Sequence, residues 1–159
     1  MTWKDPVKWE AMKNGKDCPF CLDIRLEENP YSFKVAELSQ SIVRLPRNQY
    51  WRGWVIVALK RHATELFELT ADELSGYWQE VALVAKAVQR VFHPVKINYA
   101  IYGNLCPHLH CHLFPQQIGN DPHAPIKQNA EEVFLTEAEY RQIIKELQAV
   151  MNGSFDSIK

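Results

Sequence analysis

Two stretches of the chain carry apolar residues at intervals of three and four, which is the period of an amphipathic helix. Each begins with a Thr followed three residues later by a Glu, Thr70 with Glu73 and Thr136 with Glu139, a pair typical of a helix N-terminus. Pro94 is expected to end the first helix, and the second is predicted over about residues 136–151. The apolar positions are Leu74, Trp78, Val81, Val84, Ala85 and Val88 in the first helix and Tyr140, Ile143, Ile144, Leu147 and Met151 in the second.

Shorter apolar stretches, rich in β-branched residues, predict strands before and after the first long helix. Pro107 and Pro115 bracket the last of them. Because Pro seldom occurs inside a central strand, that strand is expected to lie between the two prolines. This arrangement of strands and helices indicates an α+β fold with a mainly antiparallel sheet. The predicted strands are about Ser39–Leu45, Trp54–Leu59, Lys96–Tyr102 and His108–Phe114.

The N-terminal segment is predicted to form a short helix that leads into a pair of cysteines. Asp5 can cap this helix, Pro6 suits its first turn and Gly15 fits just past its end. Cys18 and Cys21 follow, and their C-x-x-C spacing lets two thiolates bind one metal ion. Redox-active cysteine pairs have the same spacing, so the pair alone leaves both interpretations open.

Length and charge limit the classes of function. With 159 residues, the chain is expected to form one domain over residues 1–159. It carries 18 Lys and Arg against 19 Asp and Glu, so it has no general attraction to a nucleic acid polymer or an anionic membrane. No stretch is apolar enough to span a bilayer, and the first residues lack the apolar core of a signal peptide. A cytoplasmic location is therefore expected.

Three of the six histidines, His108, His110 and His112, occupy alternate positions of the last predicted strand. Since side chains alternate between the two faces of a strand, all three share one face, and Cys111 and its apolar neighbours face the core. A neutral imidazole is a good nucleophile, and this pattern favours attack on an activated phosphorus. A metal cluster and a purely structural polar face are the alternatives that the spacing leaves open.

This strand and two segments before it are similar to the histidine-triad (HIT) family. Residues 108–114 resemble the family signature, in which single apolar residues separate three histidines and two more apolar residues follow. Residues 96–104 look like the strand and turn that precede the triad. Residues 60–62, Lys-Arg-His, with the capped helix after them, look like the family's basic segment. The resemblance follows the family's order and covers about residues 18–125.

The resemblance implies a fold, a partner and a chemistry. The fold is a five-stranded, mainly antiparallel sheet with a long central helix and a C-terminal helix, usually paired into a homodimer. The substrates are nucleotides with a substituted α-phosphate, such as dinucleoside polyphosphates or nucleoside phosphoramidates. His110 corresponds to the residue that attacks the α-phosphorus and forms a nucleotidyl-histidine, and His112 to the residue beside the phosphate and leaving group. Asn98 and Asn104 correspond to polar residues that contact phosphate or order the turn.

The resemblance also implies a metal site. Some HIT proteins, and the related galactose-1-phosphate uridylyltransferases, combine a C-x-x-C pair with two histidines. The matching positions here give a structural zinc bound by Cys18, Cys21, His62 and His108. Four protein ligands leave no open position for water, so His108 is expected to hold the metal while His110 stays free to attack.

Three positions depart from the family's pattern. Many relatives carry Gly-Gln followed by Ser or Thr before the triad, whereas residues 103–106 here are Gly-Asn-Leu-Cys and lack the hydroxyl that contacts phosphate. The residue that holds the ribose has no acidic counterpart between residues 41 and 53, where Asn48 or Gln49 is the candidate substitute. Gln116 stands where Arg is frequent. These departures predict slow turnover of the usual substrates.

The sequence therefore predicts a zinc-containing HIT hydrolase or transferase acting on nucleotides. The alternative is a low-activity, nucleotide-binding regulatory protein that uses the same cleft. A hydrolase with zinc in the chemistry requires an open coordination position, against which the full ligand set argues. Cys106 is expected not to bind metal, and His123 is a further candidate for the cleft. Trp51 and Trp54 are expected to pack in the core or at a dimer interface, and the alternative is that one of them lines an adenine pocket.

Overall fold

A five-stranded sheet is the centre of the computed structural model, which describes residues 4–123, 126 and 131–155. All neighbouring strands run antiparallel, in the order β1-β2-β3-β5-β4, so the α+β prediction is confirmed. Ala124 and Pro125, at the end of the predicted resemblance, lie outside the described residues. The strands are β1 (Ser32–Glu37), β2 (Ser41–Pro46), β3 (Val55–Leu59), β4 (Lys96–Ala100) and β5 (His110–Gln116).

The helices begin where the capping residues predict. Thr70 and Glu73 form the predicted reciprocal cap of the long helix, and Thr136 with Glu139 makes the corresponding bonds before the last one. That last helix extends past the predicted end at about residue 151. In the described part of the chain, no helix is both long and apolar enough to span a bilayer. The helices are α1 (Pro6–Lys13), α2 (Pro19–Asp23), α3 (Ala71–Phe92) and α4 (Glu137–Phe155), with a 3₁₀ turn at Leu66–Glu68.

The main hydrophobic core lies between one face of the sheet and helices α3 and α4. Helix α3 turns Tyr77, Val81, Val84 and Val88 toward the sheet, and the Tyr77 hydroxyl donates to the carbonyl of Val57. Trp78, which the helical spacing groups with the apolar positions, is 38% exposed instead. With Tyr77 as the buried aromatic residue, its neighbour points away from the sheet, because adjacent helical positions are about 100° apart.

The opposite face of the sheet is covered by the segment that contains the two cysteines of α2 and the loop after it. Ile24 packs there with Ile42 and Ala58 in a second, smaller apolar cluster. The buried guanidinium of Arg44, on β2, donates to the carbonyl oxygens of Ile24 and Leu26. A central strand thereby fixes this segment over the face that carries the histidines.

The sheet differs from the prediction at two strands. The sequence pattern missed β1, which is short, has charged residues at Lys34 and Glu37, and is interrupted by a bulge after Lys34. Strand β5 begins at His110 and includes Pro115, so the prediction that Pro115 lies outside it is wrong. Pro115 pairs with Ile97 of β4. On its other side, the pairing between β3 and β5 does not extend beyond Leu113, and the Pro115 carbonyl accepts from the Trp51 indole instead. The missing N–H therefore faces no strand and breaks no ladder bond.

Candidate active site and metal centre

Three imidazoles lie in a row on the face of the sheet opposite α3 and α4. The alternating residues Leu109, Cys111 and Leu113 belong to the main core, which places His110 and His112 on the other face. His110 and His112 are each 7% exposed, and their ring centroids are 4.7 Å apart. These two rings are therefore buried side by side on one face of the sheet, as the sequence alternation predicts.

The proton on His110 is fixed by a backbone carbonyl. Its Nδ1 hydrogen-bonds the carbonyl oxygen of His108. Because a carbonyl oxygen only accepts, Nδ1 carries the proton and Nε2 carries the lone pair. Burial lowers the pKa of His110 below its ordinary value, which keeps the ring neutral at neutral pH. His110 is thus a neutral imidazole with a free nitrogen, the form that a nucleophile needs.

His112 has a different partner, the indole of Trp54. The Trp54 Nε1 lies 3.1 Å from His112 Nδ1, and the two ring centroids are 5.5 Å apart. Burial, and then the neighbouring His110, lower the pKa of His112 to about 3, so this ring is also neutral. Trp54 also lines the cleft, in agreement with the alternative of a tryptophan in the ligand pocket, whereas no local sequence pattern predicts its contact with His112.

A cleft of about 390 Å³ opens beside these two imidazoles. Among the described residues that line it, Glu132 is the one charged side chain, and Lys and Arg are absent. The hydroxyl of Tyr50 is buried and has no hydrogen-bond partner within the described ranges, so a polar group of a ligand can satisfy it. The aromatic walls of the cleft are Phe20, Tyr31, Tyr50, Trp54 and Tyr102.

The residues predicted to hold a nucleotide are only partly brought to this cleft. Asn104 and Asn48 line it. Asn98 is exposed on β4, opposite Phe114, and is not among the lining residues. Gln49 is buried, and its amide bonds the backbone of the turn at residues 46–54, which makes it a structural residue. His123 lies on an exposed turn outside the lining of the cleft.

Next to the cleft, four predicted ligands converge. The donor atoms of Cys18, Cys21, His62 and His108 all lie within 4.8 Å of one another. His108 Nδ1 is 3.4 Å from the Cys18 sulfur and 3.6 Å from the Cys21 sulfur. The Cys21 sulfur is 3.3 Å from His62 Nδ1. Bond lengths of about 2.3 Å to sulfur and about 2.0 Å to nitrogen place such pairs about 3.5 Å apart around tetrahedral zinc. The four residues can therefore hold one metal ion.

Both histidines of this cluster are oriented for metal binding by the backbone. The Nε2 of His62 hydrogen-bonds the carbonyl of Lys13 at 2.8 Å, and the Nε2 of His108 bonds that of Leu59 at 2.7 Å. Since carbonyl oxygens only accept, both Nδ1 atoms present lone pairs to the cysteines. Such outer hydrogen bonds are what hold metal-binding imidazoles in position.

The remaining cysteines have distinct surroundings. Cys111 is fully buried in the main core, as predicted. Cys106 lines the cleft, and its sulfur lies 3.8 Å from that of Cys18. Hydrogen bonding from Cys106, with a smaller effect of His108, holds the pKa of the Cys18 thiol well below its ordinary value. This favours a thiolate at Cys18, which is the form that binds a metal ion.

Phe20 separates the metal cluster from the cleft. It lies between the two cysteines of α2, and its ring centroid is 5.3 Å from that of His108 and 4.8 Å from that of His110. The C-x-x-C pattern predicts a role for the two cysteines but none for Phe20. Its position between consecutive histidines of the row divides their surroundings into a metal-binding end and a cleft end.

Comparisons with known proteins agree with this geometry. The HIT domain family matches residues 27–118, more than half of the chain. No curated protein sequence matches. The chain is similar in structure to a histidine triad protein from Sinorhizobium meliloti, with a TM-score of 0.69 and 27% identity, covering 80% of this chain and 93% of that one.

Two more distant structures share the fold. A histidine triad protein from Bradyrhizobium japonicum has a TM-score of 0.70 at 21% identity and covers 76% of this chain and 90% of its own. A Zn-bound histidine triad family protein from Mycobacterium smegmatis has a TM-score of 0.65 at 18% identity, with 90% and 98% covered. The sheet, the histidine row and the family match define the class: the chain belongs to the HIT domain family.

Proposed function

We propose that the protein is a nucleotide hydrolase or transferase that cleaves substituted nucleotides at the α-phosphate through a nucleotidyl-His110 intermediate. One observation carries this proposal. His110 is a neutral imidazole whose Nδ1–H donates a hydrogen bond to the His108 carbonyl. It lines a cleft beside a second neutral imidazole, His112. The family match supports a nucleotide as the ligand of that cleft.

The chemistry follows from the protons on the two rings. The Nε2 lone pair of His110 forms a bond to the α-phosphorus, and the leaving group departs with the electron pair of the broken bond. The proton on Nδ1 stays in place, where the His108 carbonyl stabilises the positive charge that the ring acquires. His112 donates a hydrogen bond to a phosphoryl oxygen or to the leaving group. Water or another acceptor then attacks phosphorus and releases a proton to solvent, while the bond between phosphorus and Nε2 breaks and returns its electron pair to His110. Asn104, at the rim of the cleft, is proposed to contact the phosphate.

The test is a panel of substituted nucleotides that includes diadenosine tetraphosphate and adenosine phosphoramidate. We expect the wild-type protein to release a nucleoside monophosphate from at least one of them, and His110→Ala to release none while still binding the nucleotide. His123→Ala is the matched control, because it removes an exposed histidine outside the cleft. Equal turnover by wild type and His110→Ala would refute the nucleophile assignment.

A second candidate function is regulatory nucleotide binding with little turnover. It is favoured by the absence of Lys and Arg from the described residues that line the cleft and by the lack of an acidic residue between residues 41 and 53, where the family resemblance implies the ribose-binding residue. Nucleotide binding by the wild-type protein, without turnover of any member of the panel, would establish this function in place of the first.

We also propose that Cys18, Cys21, His62 and His108 bind a structural zinc ion. The spacing of the four donors and the carbonyl bonds that orient both imidazoles support it, as does the distant fold relative that is Zn-bound. When bound, the ion would crosslink the cysteine-bearing segment to the histidine row and take no part in the reaction, because four protein ligands leave no open position. The free thiols of the ligand pair fit the reducing cytoplasm expected from the sequence.

A second copy of the chain is the proposed partner. Strand β4 is an edge of the sheet, and the apolar side chains of Val95 and Tyr99 beside it are 65% and 49% exposed. An unpaired edge with exposed apolar groups favours pairing with an equivalent strand. Light scattering on the purified protein is expected to give the mass of a dimer, and replacement of Tyr99 by Glu is expected to give the monomer mass.

A further inference from the structure

The indole of Trp54 donates a hydrogen bond to a histidine of the row. Its Nε1 lies 3.1 Å from Nδ1 of His112. The indole is held on its other sides by Phe114, stacked at 5.5 Å with an 18° angle between rings, and by the ring of Tyr50 at 5.3 Å. Trp54 also follows Gly53, whose φ of +83° lets the chain turn directly before it. The indole N–H is therefore held in one direction.

The direction of this hydrogen bond is determined by chemistry. An indole nitrogen only donates, so Nδ1 of His112 must accept. A neutral imidazole has one proton, which is then on Nε2 of His112. His110 has the opposite arrangement, because its Nδ1 faces the His108 carbonyl, which only accepts. Two neighbouring rings in one strand are thus held in opposite tautomers by partners of opposite character.

We infer that Trp54 is a positioning residue that holds His112 in the Nε2–H tautomer, so that a hydrogen-bond donor stands beside the lone pair of His110. In the other tautomer, Nε2 of His112 would present a second lone pair to the phosphate and repel its oxygens. The catalytic consequence rests on the proposed function, but the tautomer itself does not. The inference can therefore be tested without any substrate.

His112 also packs against other aromatic rings. Its other ring neighbours are His110 at 4.7 Å, Tyr102 at 5.7 Å and Phe114 at 5.6 Å between centroids. Burial keeps His112 neutral, with its pKa lowered to about 3, so the ring has a choice between two tautomers at neutral pH. The Trp54 N–H donates to Nδ1 and thereby favours the tautomer with the proton on Nε2.

The experiment compares Trp54→Phe with Trp51→Phe in protein labelled with ¹⁵N in its histidine rings. Trp51 provides a matched control, since its indole N–H donates at 2.7 Å to the Pro115 carbonyl, near the same strand but away from the histidine rings. We expect the wild-type ¹⁵N spectrum to show His112 with a protonated Nε2 and an unprotonated Nδ1. Trp54→Phe should move both nitrogens toward averaged shifts, and Trp51→Phe should leave them unchanged.

Turnover provides the second readout. Losing one hydrogen bond of about 1 kcal/mol corresponds to a fall of about 5-fold in kcat for Trp54→Phe, with KM little changed. A wild-type spectrum with the proton on Nδ1 of His112 would overturn the inference even if the variants fail to fold. So would a His112 spectrum that is the same in Trp54→Phe and wild type. Absence of turnover in the wild type, with the expected spectra, would count against the proposed function alone.

Discussion

The histidine row has two ends that differ in whether the chain itself supplies all the groups of the site. At the metal end, two thiols and two imidazoles converge on one point, and the backbone orients both imidazoles toward it. At the cleft end, the Nδ1 atoms of His110 and His112 each hydrogen-bond a protein group, and both rings face a cleft with aromatic walls. The first end is a closed set of four donors, and the second is open to a ligand.

This difference explains why one strand can carry both sites. The Nδ1 atom of His108 is used for the metal cluster, whereas the Nδ1 atoms of His110 and His112 are used by protein partners. Phe20 lies between the two ends. The proposed metal binding and the proposed attack on phosphorus therefore use different side chains, and a change at one end is expected to leave the other measurable.

The largest expected effect is at the cleft end. His110→Ala should lower kcat by about 1000-fold or more, because no other described residue offers an imidazole lone pair at that position. Its metal content should equal that of the wild type, which metal analysis of both proteins checks. Loss of metal together with activity would break the separation of the two ends.

The next effect is at the metal end. Cys21→Ser removes one ligand and should lower the zinc content from about one equivalent to near zero, with a loss of unfolding free energy of at least about 3 kcal/mol. Cys106→Ser is the matched control, because its sulfur is near Cys18 but outside the four-donor group. Metal analysis and denaturant unfolding provide the two measurements. Zinc loss in the control, or none in Cys21→Ser, would contradict the ligand set.

A smaller effect concerns the stability of the cleft end in acid. The folded-state pKa of His112 is lowered from 6.5 to about 3, so between these values the unfolded chain binds more protons and stability falls as the pH falls. At pH 5 this cost is about 2 kcal/mol. His112→Asn removes this cost. Between pH 7 and about pH 5, the unfolding free energy of the variant should therefore fall by about 2 kcal/mol less than that of the wild type. Parallel curves for the two proteins would show that His112 is not held neutral.

Local sequence patterns predict both long helices and the shared face of the three histidines. Alternation in residues 108–112 predicted that the three histidines share a face, since the strand period is two. Caps at Thr70 and Thr136 predicted both long helices. The four-donor cluster came from family resemblance, because no spacing in the chain relates His62 to Cys18.

The missed features depend on contacts between distant segments. Trp54 reaches His112 because β3 and β5 are neighbours in register, and Phe20 reaches the histidine row because Arg44 fixes the segment after it. Neither relation has a period or a motif. Pro115 was misplaced because a rule for central strands was applied where one neighbouring strand has already ended.

The division of the row is tested most directly by capturing the intermediate. The wild-type protein, mixed with a substrate found in the nucleotide panel and quenched rapidly, is digested under conditions that preserve phosphoramidate bonds and analysed by mass spectrometry. The account predicts a nucleoside monophosphate attached to His110, with His108 and His112 unmodified. Attachment to His108 or His112, or turnover with no nucleotide attached to any histidine, would contradict it.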